Sequence, residues 1–328
     1  MKKLAILIVY LLAFTALQAQ DNKGEKVPAV SRPEKPAPKD TLWKKGGEGK
    51  LDFSHTNFGN WTQGAINATT AIANVSLFGH YKKDKIQWDN DARFTLGFVN
   101  TEGIKDWRKA DDVIKLQTKL GYAISKKLNW SLLGTFDSQF APTQNFTGDT
   151  IPGTDYKAPV VARFLSPAFL TIGTGLDYKP NSWISIYFSP ATFRALLVMD
   201  QDIANLGLYG NRVENGIGDR FKPEMGAQFI GDLKKEVVKN VTYISRVELF
   251  SNILSNRFGE TKPQNIDVLW VNSLRFTVNK FIAATVENTL RYDDEVVVVK
   301  NRGESDQYNG KSIQTKSFFG IGLTYKFL

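Results

Sequence analysis

Hydrophobic and polar residues alternate with a period of two along most of the chain. In the segment 85–99, Trp88 and Phe94 lie on one face, whereas Asp89 and Arg93 lie on the other. A period of two is typical of β-strands, in which successive side chains point to opposite faces. The pattern predicts twelve strands, at about residues 49–58, 69–82, 85–99, 110–124, 127–140, 165–178, 182–196, 223–234, 239–254, 265–278, 280–295 and 314–328.

The connections between these segments alternate between short and long. Short turns are predicted near residues 82–85, 125–127, 180–182, 234–240 and 279–280. Longer loops are predicted near residues 59–68, 100–109, 141–164, 197–222, 255–264 and 296–313. Short periplasmic turns, longer outer loops and an even strand count are typical of bacterial outer-membrane barrels. The sequence therefore predicts an all-β fold, a single antiparallel transmembrane β-barrel of about 12 strands, with both chain ends in the periplasm.

A soluble β-sandwich or a periplasmic barrel would also show alternation, because the pattern alone does not say which face is outside. Three features favour the membrane. The predicted strands exceed the about five or six residues usual in soluble sheets. The connections alternate in length, and the polar face carries many charges, which are costly in a dry core but compatible with a hydrated lumen.

The N-terminal region has a different pattern. Residues 1–19 are predicted to be a secretory signal peptide, with Lys2 and Lys3 before an apolar run that is too short to span a bilayer. Residues 20–46 lack apolar periodicity and are rich in proline and charge, which predicts a disordered periplasmic linker. The barrel is predicted to occupy residues 47–328.

Composition excludes several kinds of chemistry. The chain has no cysteine, which excludes disulfides, thiolate metal sites and a cysteine nucleophile. The net charge is +9, but lysine and arginine do not form a basic stripe on a helix, so we expect no nucleic-acid partner. Many lysines fall at predicted turns, as in Lys82-Lys83 and Lys126-Lys127, where they are interpreted as solvated turn charges.

Short motifs occur in order along the chain after the linker. They are residues 56–64 (TNFGNWTQG), 122–127 (YAISKK), 139–142 (QFAP), 177–180 (DYKP) and 320–327 (GIGLTYKF). Together they resemble an uncharacterised Bacteroidota family of outer-membrane β-barrels, although Ala65 and Leu328 depart from the family pattern. The resemblance implies the barrel fold and the outer membrane, and it implies no settled activity.

The two histidines give little indication of catalysis. His55 falls on the apolar face of the first predicted strand, and His80 falls on the polar face beside the turn at Lys82. A hydrolytic site needs a histidine within hydrogen-bond reach of a nucleophile, and neither position fits such a site. Two distant histidines also make a poor metal site. We therefore expect no enzyme activity, no metal and no cofactor.

Charged residues of both signs form the clearest group of candidate functional residues. The alternation predicts that they face the lumen, where most would form cross-strand ion pairs. The candidate lumen residues are Asp89, Asp91, Arg93, Lys115, Lys119, Arg246, Glu248, Glu287 and Arg291. A near balance of signs argues for a plugged or narrow lumen with weak selectivity.

Three function classes remain open at this stage. The leading expectation is a passive barrel, either a narrow, porin-like pore for small solutes or a structural or assembly component surrounded by outer-membrane lipid. The second is a surface ligand-binding barrel that acts through loops 141–164 and 197–222. An outer-membrane enzyme is the third and is disfavoured. The sequence identifies no particular solute or protein partner.

Overall fold

The structure is a computed structural model that describes residues 42–56, 68–101, 107–144, 159–253, 263–296, 298–300 and 308–327. The predicted signal peptide and most of the predicted linker lie outside these ranges. No helix in the described part of the chain is long and apolar enough to span a membrane.

The described residues form strands and one short helix. The strands are β1 (Trp43–Thr56), β2 (Ala68–Lys83), β3 (Ile86–Thr101), β4 (Arg108–Ala123), β5 (Leu128–Ser138), β6 (Thr143–Gln144), β7 (Val160–Ala162), β8 (Ala168–Asn181), β9 (Ile184–Leu197), β10 (Val213–Glu214), β11 (Ile217–Gly218), β12 (Phe221–Val238), β13 (Val241–Asn252), β14 (Ile266–Thr277), β15 (Ile282–Tyr292), β16 (Val298–Lys300), β17 (Tyr308–Gly310) and β18 (Gln314–Phe327). The helix is α1 (Gln201–Ala204).

Twelve of the strands close into one antiparallel barrel, in the order β1-β18-β15-β14-β13-β12-β9-β8-β5-β4-β3-β2. The other strands form three short two-stranded sheets, β6–β7, β10–β11 and β16–β17. Each of the twelve segments predicted from the alternation overlaps one barrel strand. The predicted fold, a 12-stranded antiparallel barrel, is confirmed.

One predicted boundary is wrong. Strand β1 begins at Trp43, inside the segment 20–46 that was predicted as linker. The backbone of Trp43 pairs with Tyr81, and the two rings lie 5.2 Å apart between their centroids. The glycines that follow Trp43 resemble a linker in the sequence, but the cross-strand aromatic pair stabilises them as strand.

Short and long connections alternate around the barrel, as predicted. Two of the short turns use the same asparagine geometry. The Asn181 side chain accepts hydrogen bonds from the backbone amides of Trp183 and Ile184, and Asn279 does the same for Phe281 and Ile282. Such side-chain caps favour a tight reversal between antiparallel strands. We call this end of the barrel the short-turn end and the opposite end the long-loop end.

Large apolar side chains cover the outer face of the barrel. Leu116, Trp130, Ile172, Trp270 and Leu323 are each between 39% and 56% exposed. Inward-facing carboxylates behave in the opposite way, since those of residues 52, 177 and 224 are almost completely buried. This arrangement is the reverse of that in a soluble barrel, and a continuous apolar exterior requires hydrocarbon around it. The soluble alternatives are therefore wrong, and the protein is an outer-membrane β-barrel.

Polar side chains on the outer face hydrogen-bond to one another. Trp88 Nε1 donates to Thr118 Oγ1 over 2.8 Å, and the Thr118 hydroxyl donates to Asn90 Oδ1, also over 2.8 Å. A second cluster of the same kind joins Trp270, Ser245, Asn272 and Tyr243. Hydrocarbon offers no hydrogen-bond partners, so these lateral contacts allow amides to lie on the lipid-facing side.

The first and last strands close the barrel. Strand β1 pairs with β18 from Gly47↔Phe327 to Phe53↔Ile321. The seam is closely packed, because a Cβ atom at Gly322 would lie 2.5 Å from Asp52 Oδ1. Glycine at this position lets the inward Asp52 carboxylate lie against the backbone of β18.

A charge placed on the outer face should destabilise the barrel. We expect Leu116→Arg to lower the free energy of unfolding in lipid vesicles by about 2–4 kcal/mol, because the middle of β4 would place a guanidinium in hydrocarbon. The measurement is urea unfolding in vesicles, followed by heat-modifiable gel mobility. The control Leu206→Arg changes an exposed leucine in the loop after α1 and should cost little. Equal stabilities of the two variants would contradict a lipid-facing β4.

Candidate functional site in the barrel lumen

Side chains from opposite walls meet in the middle of the lumen. Lys115 on β4 and Glu248 on β13 both face inward. The two strands lie on nearly opposite sides of the barrel, because four strands separate them in one direction and six in the other. The Lys115 ammonium lies 3.4 Å from Glu248 Oε1. Arg246 Nη2 donates to Gln117 Oε1 across the same gap, over 3.2 Å. We call Lys115, Gln117, Arg246 and Glu248 the septum, because they cross the lumen.

Neighbouring carboxylates balance the cations of the septum. Arg246 donates from Nε to Glu248 Oε1 over 2.5 Å and from Nη1 to Asp232 Oδ1 over 2.8 Å. Lys115 lies 3.5 Å from Asp137. The two Arg246 contacts are short, charge-assisted hydrogen bonds that fix the guanidinium against its own wall, whereas the Lys115 contacts are longer ion pairs. The septum side chains remain partly accessible, as expected for polar groups in a hydrated channel rather than a dry core.

A second ionic cluster lies on the short-turn side of the septum. The Asp177 carboxylate, only 1% exposed, is 3.0 Å from Lys119 Nζ and 3.3 Å from Lys179 Nζ. It also accepts a hydrogen bond of 2.8 Å from the Ser185 hydroxyl. Lys179 reaches Asp89 at 3.8 Å. Because these residues come from β3, β4, β8 and β9, which lie within five consecutive strands of the barrel, this cluster lines one wall and leaves the lumen uncrossed.

Arg194 forms a third cluster, on the long-loop side of the septum. Its guanidinium donates to Glu224 over 2.5 Å and to Asp267 over 2.6 Å. It also lies over the Phe250 ring, 4.0 Å from the centroid. Glu224 is on the neighbouring strand and Asp267 is three strands away, so Arg194 links separated parts of the wall.

A cavity of about 330 Å³ lies between the septum and the long loops. We call it the vestibule. Its lining combines both charge signs with aromatic rings, and it includes Lys115, Asp137, Phe169, Arg194, Glu248, Phe250, Asp267 and Arg291. A concave site of this volume with a few convergent polar groups suits a small ligand.

The segment 198–220, which we call the inner loop, folds back against the lumen wall. Ile203 and Ala204 of α1 are buried against Leu196 of β9, and Phe169 of β8 packs against the same cluster. Leu196 and Phe169 form an inward-facing register pair beside the vestibule. The inner loop therefore narrows the mouth of the barrel instead of extending away from it.

Polar contacts hold the inner loop in place. The Tyr209 hydroxyl donates to the Val161 carbonyl over 2.7 Å, and burial raises the pKa of Tyr209 to about 12. The phenol therefore remains a donor throughout the physiological pH range. Arg163 pairs with Asp200 at 2.8 Å, directly before α1. Contacts near the start and in the middle of the loop restrict its motion.

The lumen wall is not polar throughout, contrary to the simple alternation of polar and apolar faces. Leu133, Tyr187 and Ile230 face inward and form a buried apolar cluster across β5, β9 and β12. These side chains pack on one another where the inner walls carry glycine and serine, which leave room for larger neighbours. Part of the wall is therefore dry, and the polar path is narrower than the barrel.

The structure places all nine candidate lumen residues on the inward alternation of their strands. Lys115, Lys119, Arg246, Glu248 and Asp89 join the septum and the Asp177 cluster, as described above. The other four belong to neither group. Asp91 lies 3.2 Å from His80, and Arg291 lies 3.6 Å from Asp293. Arg93 is the register partner of Lys115, and Glu287 is the register partner of Phe318.

Sequence alternation missed Arg194. Up to Phe188 the even-numbered residues of β9 point outward, which would place Arg194 in lipid. A β-bulge opposite the stretch Gly226 to Gln228 inserts one extra residue into β9 and reverses the alternation, so that Arg194 faces the lumen. The Ser189-Pro190 sequence was the available signal, because proline within a strand is confined to edges and bulges.

Neither histidine forms part of a catalytic group that the structure describes. His80 Nε2 lies 3.2 Å from Asp91 Oδ1 near the short-turn end, and the side chain of His55 lies outside the described residues. Across the described ranges, no group of three His, Asp or Glu side chains is arranged to hold a metal ion.

Removing a septum cation should destabilise the barrel. We expect Arg246→Met to lower the free energy of unfolding by about 2–3 kcal/mol, because Glu248 and Asp232 would lose their shared guanidinium in a partly buried site. The control Arg93→Met removes an exposed inward arginine outside these clusters and should change stability little. Urea unfolding in vesicles measures both variants, and an equal loss in the two would contradict a specific role of the septum.

Comparisons with known proteins assign no activity to the chain. A family model described as "Protein of unknown function (DUF3078)" matches residues 53–143, which include most of the first five strands. No curated protein matches the sequence.

Two solved structures illustrate the structural similarity. The translocator domain of autotransporter NalP from Neisseria meningitidis is 7% identical, with a TM-score of 0.39 over 88% of this chain and 89% of that one. An outer-membrane channel from Pseudomonas putida F1 is 12% identical, with a TM-score of 0.39 over 86% and 95%. These values are too low to bear on function. The closed sheet and its apolar exterior identify the chain as an outer-membrane β-barrel, and its residues 53–143 are similar to a family of unknown function.

Proposed function

We propose that the barrel is a narrow, weakly selective channel for small polar solutes, and that the septum limits passage through it. The observation that carries the proposal is the vestibule, which ends at a set of paired, partly exposed side chains. Long lysine, arginine and glutamate side chains change rotamer without unfolding a strand, so a solute can displace them. An apolar plug at the same place would offer no such path.

The balance of charge supports weak selectivity. Each cation of the septum and of the Arg194 cluster has a carboxylate partner within 3.5 Å. Rings of a single charge sign select ions, whereas a lumen of paired charges favours neither anions nor cations strongly. The inner loop supports the same proposal, because it narrows the mouth and restricts passage to small solutes.

The channel accounts for these observations better than the other classes do. A surface ligand-binding barrel would present its loops outward, but the inner loop packs against the lumen wall. Most of loop 141–164 lies outside the described residues. An enzyme would need a nucleophile beside a base, and His80 contacts a carboxylate at the short-turn end instead. A structural barrel without conductance is the remaining alternative, and planar-bilayer recording distinguishes it from a channel.

The channel has a defined orientation and surroundings in the membrane. Outer-membrane lipid surrounds it, the short-turn end faces the periplasm, and neither nucleic acid nor a cofactor takes part. Motifs at 177–180 and 320–327 lie beyond the matched residues 53–143 and support membership of the Bacteroidota family across the whole barrel.

Planar-bilayer recording tests the channel. We expect small, discrete conductance steps from the unaltered protein. The double variant Lys115→Ala/Glu248→Ala removes two long side chains from the septum without changing the net charge. It should raise the single-channel conductance about two- to threefold and leave ion selectivity nearly unchanged, because selectivity follows charge balance.

The control Arg212→Ala/Glu214→Ala also removes one cation and one carboxylate, which form an ion pair of 2.8 Å. This pair lies in the exposed hairpin of the inner loop, away from the septum. It should conduct like the unaltered protein. Folded barrels that show no steps, with or without the septum variant, would overturn the channel and favour a structural role. An equal increase in the control would overturn the role of the septum.

A further inference from the structure

Lysines converge on the short-turn end of the barrel. Although they are scattered along the sequence, the turns and strand ends bring them to one rim, and all of them are exposed. We call this group the basic rim, and its lysines are Lys44, Lys45, Lys82, Lys83, Lys85, Lys126, Lys127, Lys234, Lys235, Lys239, Lys280 and Lys326. The exposed acidic residues described at the same rim are Asp84 and Glu236.

The two ends of the barrel differ in how their charges are paired. At the long-loop end, exposed cations lie beside carboxylates, as in Arg163–Asp200 at 2.8 Å and Lys316–Asp111 at 2.7 Å. None of the twelve basic-rim lysines forms an ion pair with another residue that the structure describes. The basic rim is therefore a region of positive potential available to an external anion.

Four of these lysines lie over aromatic rings. The ammonium of Lys45 is 5.4 Å from the Trp43 ring centroid, and that of Lys235 is 4.6 Å from the Trp183 ring. Lys85 over Tyr122 and Lys280 over Phe281 repeat the arrangement at 5.8 Å and 4.9 Å. Tyr122 and Phe281 are about half exposed, and Tyr122 lies on the outward alternation of β4, next to the apolar belt.

Aromatic rings at the edge of the apolar belt lie at the level of lipid headgroups. Lysines over such rings extend their apolar stems along the hydrocarbon edge and hold their ammonium groups among the headgroups. The lysine–ring pairs therefore place positive charge where lipid phosphates lie.

We propose that the basic rim binds the headgroups of anionic phospholipids in the leaflet at the short-turn end. The distribution of the lysine–ring pairs favours lipid over a protein partner. The pairs involve β1, the β2–β3 turn with β4, the β8–β9 turn with β12, and the β14–β15 turn, so they are spread around the circumference. A leaflet contacts the whole circumference at once, whereas a single protein domain contacts one side.

Electron paramagnetic resonance of spin-labelled lipids tests the proposal. The purified protein is reconstituted in phosphatidylcholine bilayers with a trace of spin-labelled phosphatidylglycerol or spin-labelled phosphatidylcholine. The motionally restricted fraction of each label gives its relative association constant. At low salt we expect about a threefold preference for phosphatidylglycerol, which high salt should weaken.

The variant Lys45→Gln/Lys85→Gln/Lys235→Gln/Lys280→Gln should lose most of that preference. Replacing the same four lysines by arginine keeps the charge and should preserve it. A third variant changes Arg163, Arg212, Lys311 and Lys316 at the long-loop end to glutamine and should also keep the preference. Equal association of the two lipids with the unaltered protein would overturn the proposal. An equal loss in the long-loop variant would also overturn it, because the preference would then follow net charge rather than the basic rim.

Discussion

Closure of the sheet between β1 and β18 is the constraint on which the rest of the structure depends. In hydrocarbon, the backbone amides and carbonyls of an open edge strand would lack hydrogen-bond partners, so the last strand must pair with the first. The seam from Gly47↔Phe327 to Phe53↔Ile321 satisfies those groups. Once the sheet is closed, each strand has one lipid-facing and one enclosed side, and the alternation along the sequence decides which residues lie on each.

The enclosed side then determines the character of the lumen. Charged residues on inward positions cannot reach bulk water easily, so they pair with one another. Pairs between strands on the same side of the barrel line the wall, as around Asp177. Lys115, Gln117, Arg246 and Glu248 are instead long enough to meet across the barrel. The same physical requirement, compensation of enclosed charge, therefore produces both a stable wall and a septum. The inner loop adds a second constriction at the mouth.

Much of this architecture could be predicted from the sequence, because a period of two is a local property. All twelve barrel strands and the alternation of turns and loops were predicted in this way. The bulge in β9 was not, and it reversed the side on which Arg194 lies. The start of β1 was also missed, because Trp43 is stabilised by the ring of Tyr81, a residue that is distant in the sequence.

The candidate site was less predictable than the fold. Alternation placed Lys115 and Glu248 on the inner face, but it could not show that β4 and β13 lie nearly opposite each other, since that depends on the closed strand order. The packing of Ile203 against Leu196 likewise depends on how a long loop folds back. The convergence of the turn lysines on one rim follows from the antiparallel topology and became apparent only with the full strand order.

Disulfide trapping of the seam tests the closed barrel most directly, because the chain has no cysteine of its own. Leu51 and Leu323 are register partners on β1 and β18, so their Cα atoms lie within the range that a disulfide spans. The variant Leu51→Cys/Leu323→Cys should form this bond on oxidation in the membrane, detected as a loss of free thiols and a shift on a non-reducing gel. The pair Leu51→Cys/Trp270→Cys, on strands that do not touch, should remain reduced. Free thiols in the first variant, in a folded barrel, would contradict closure between the first and last strands.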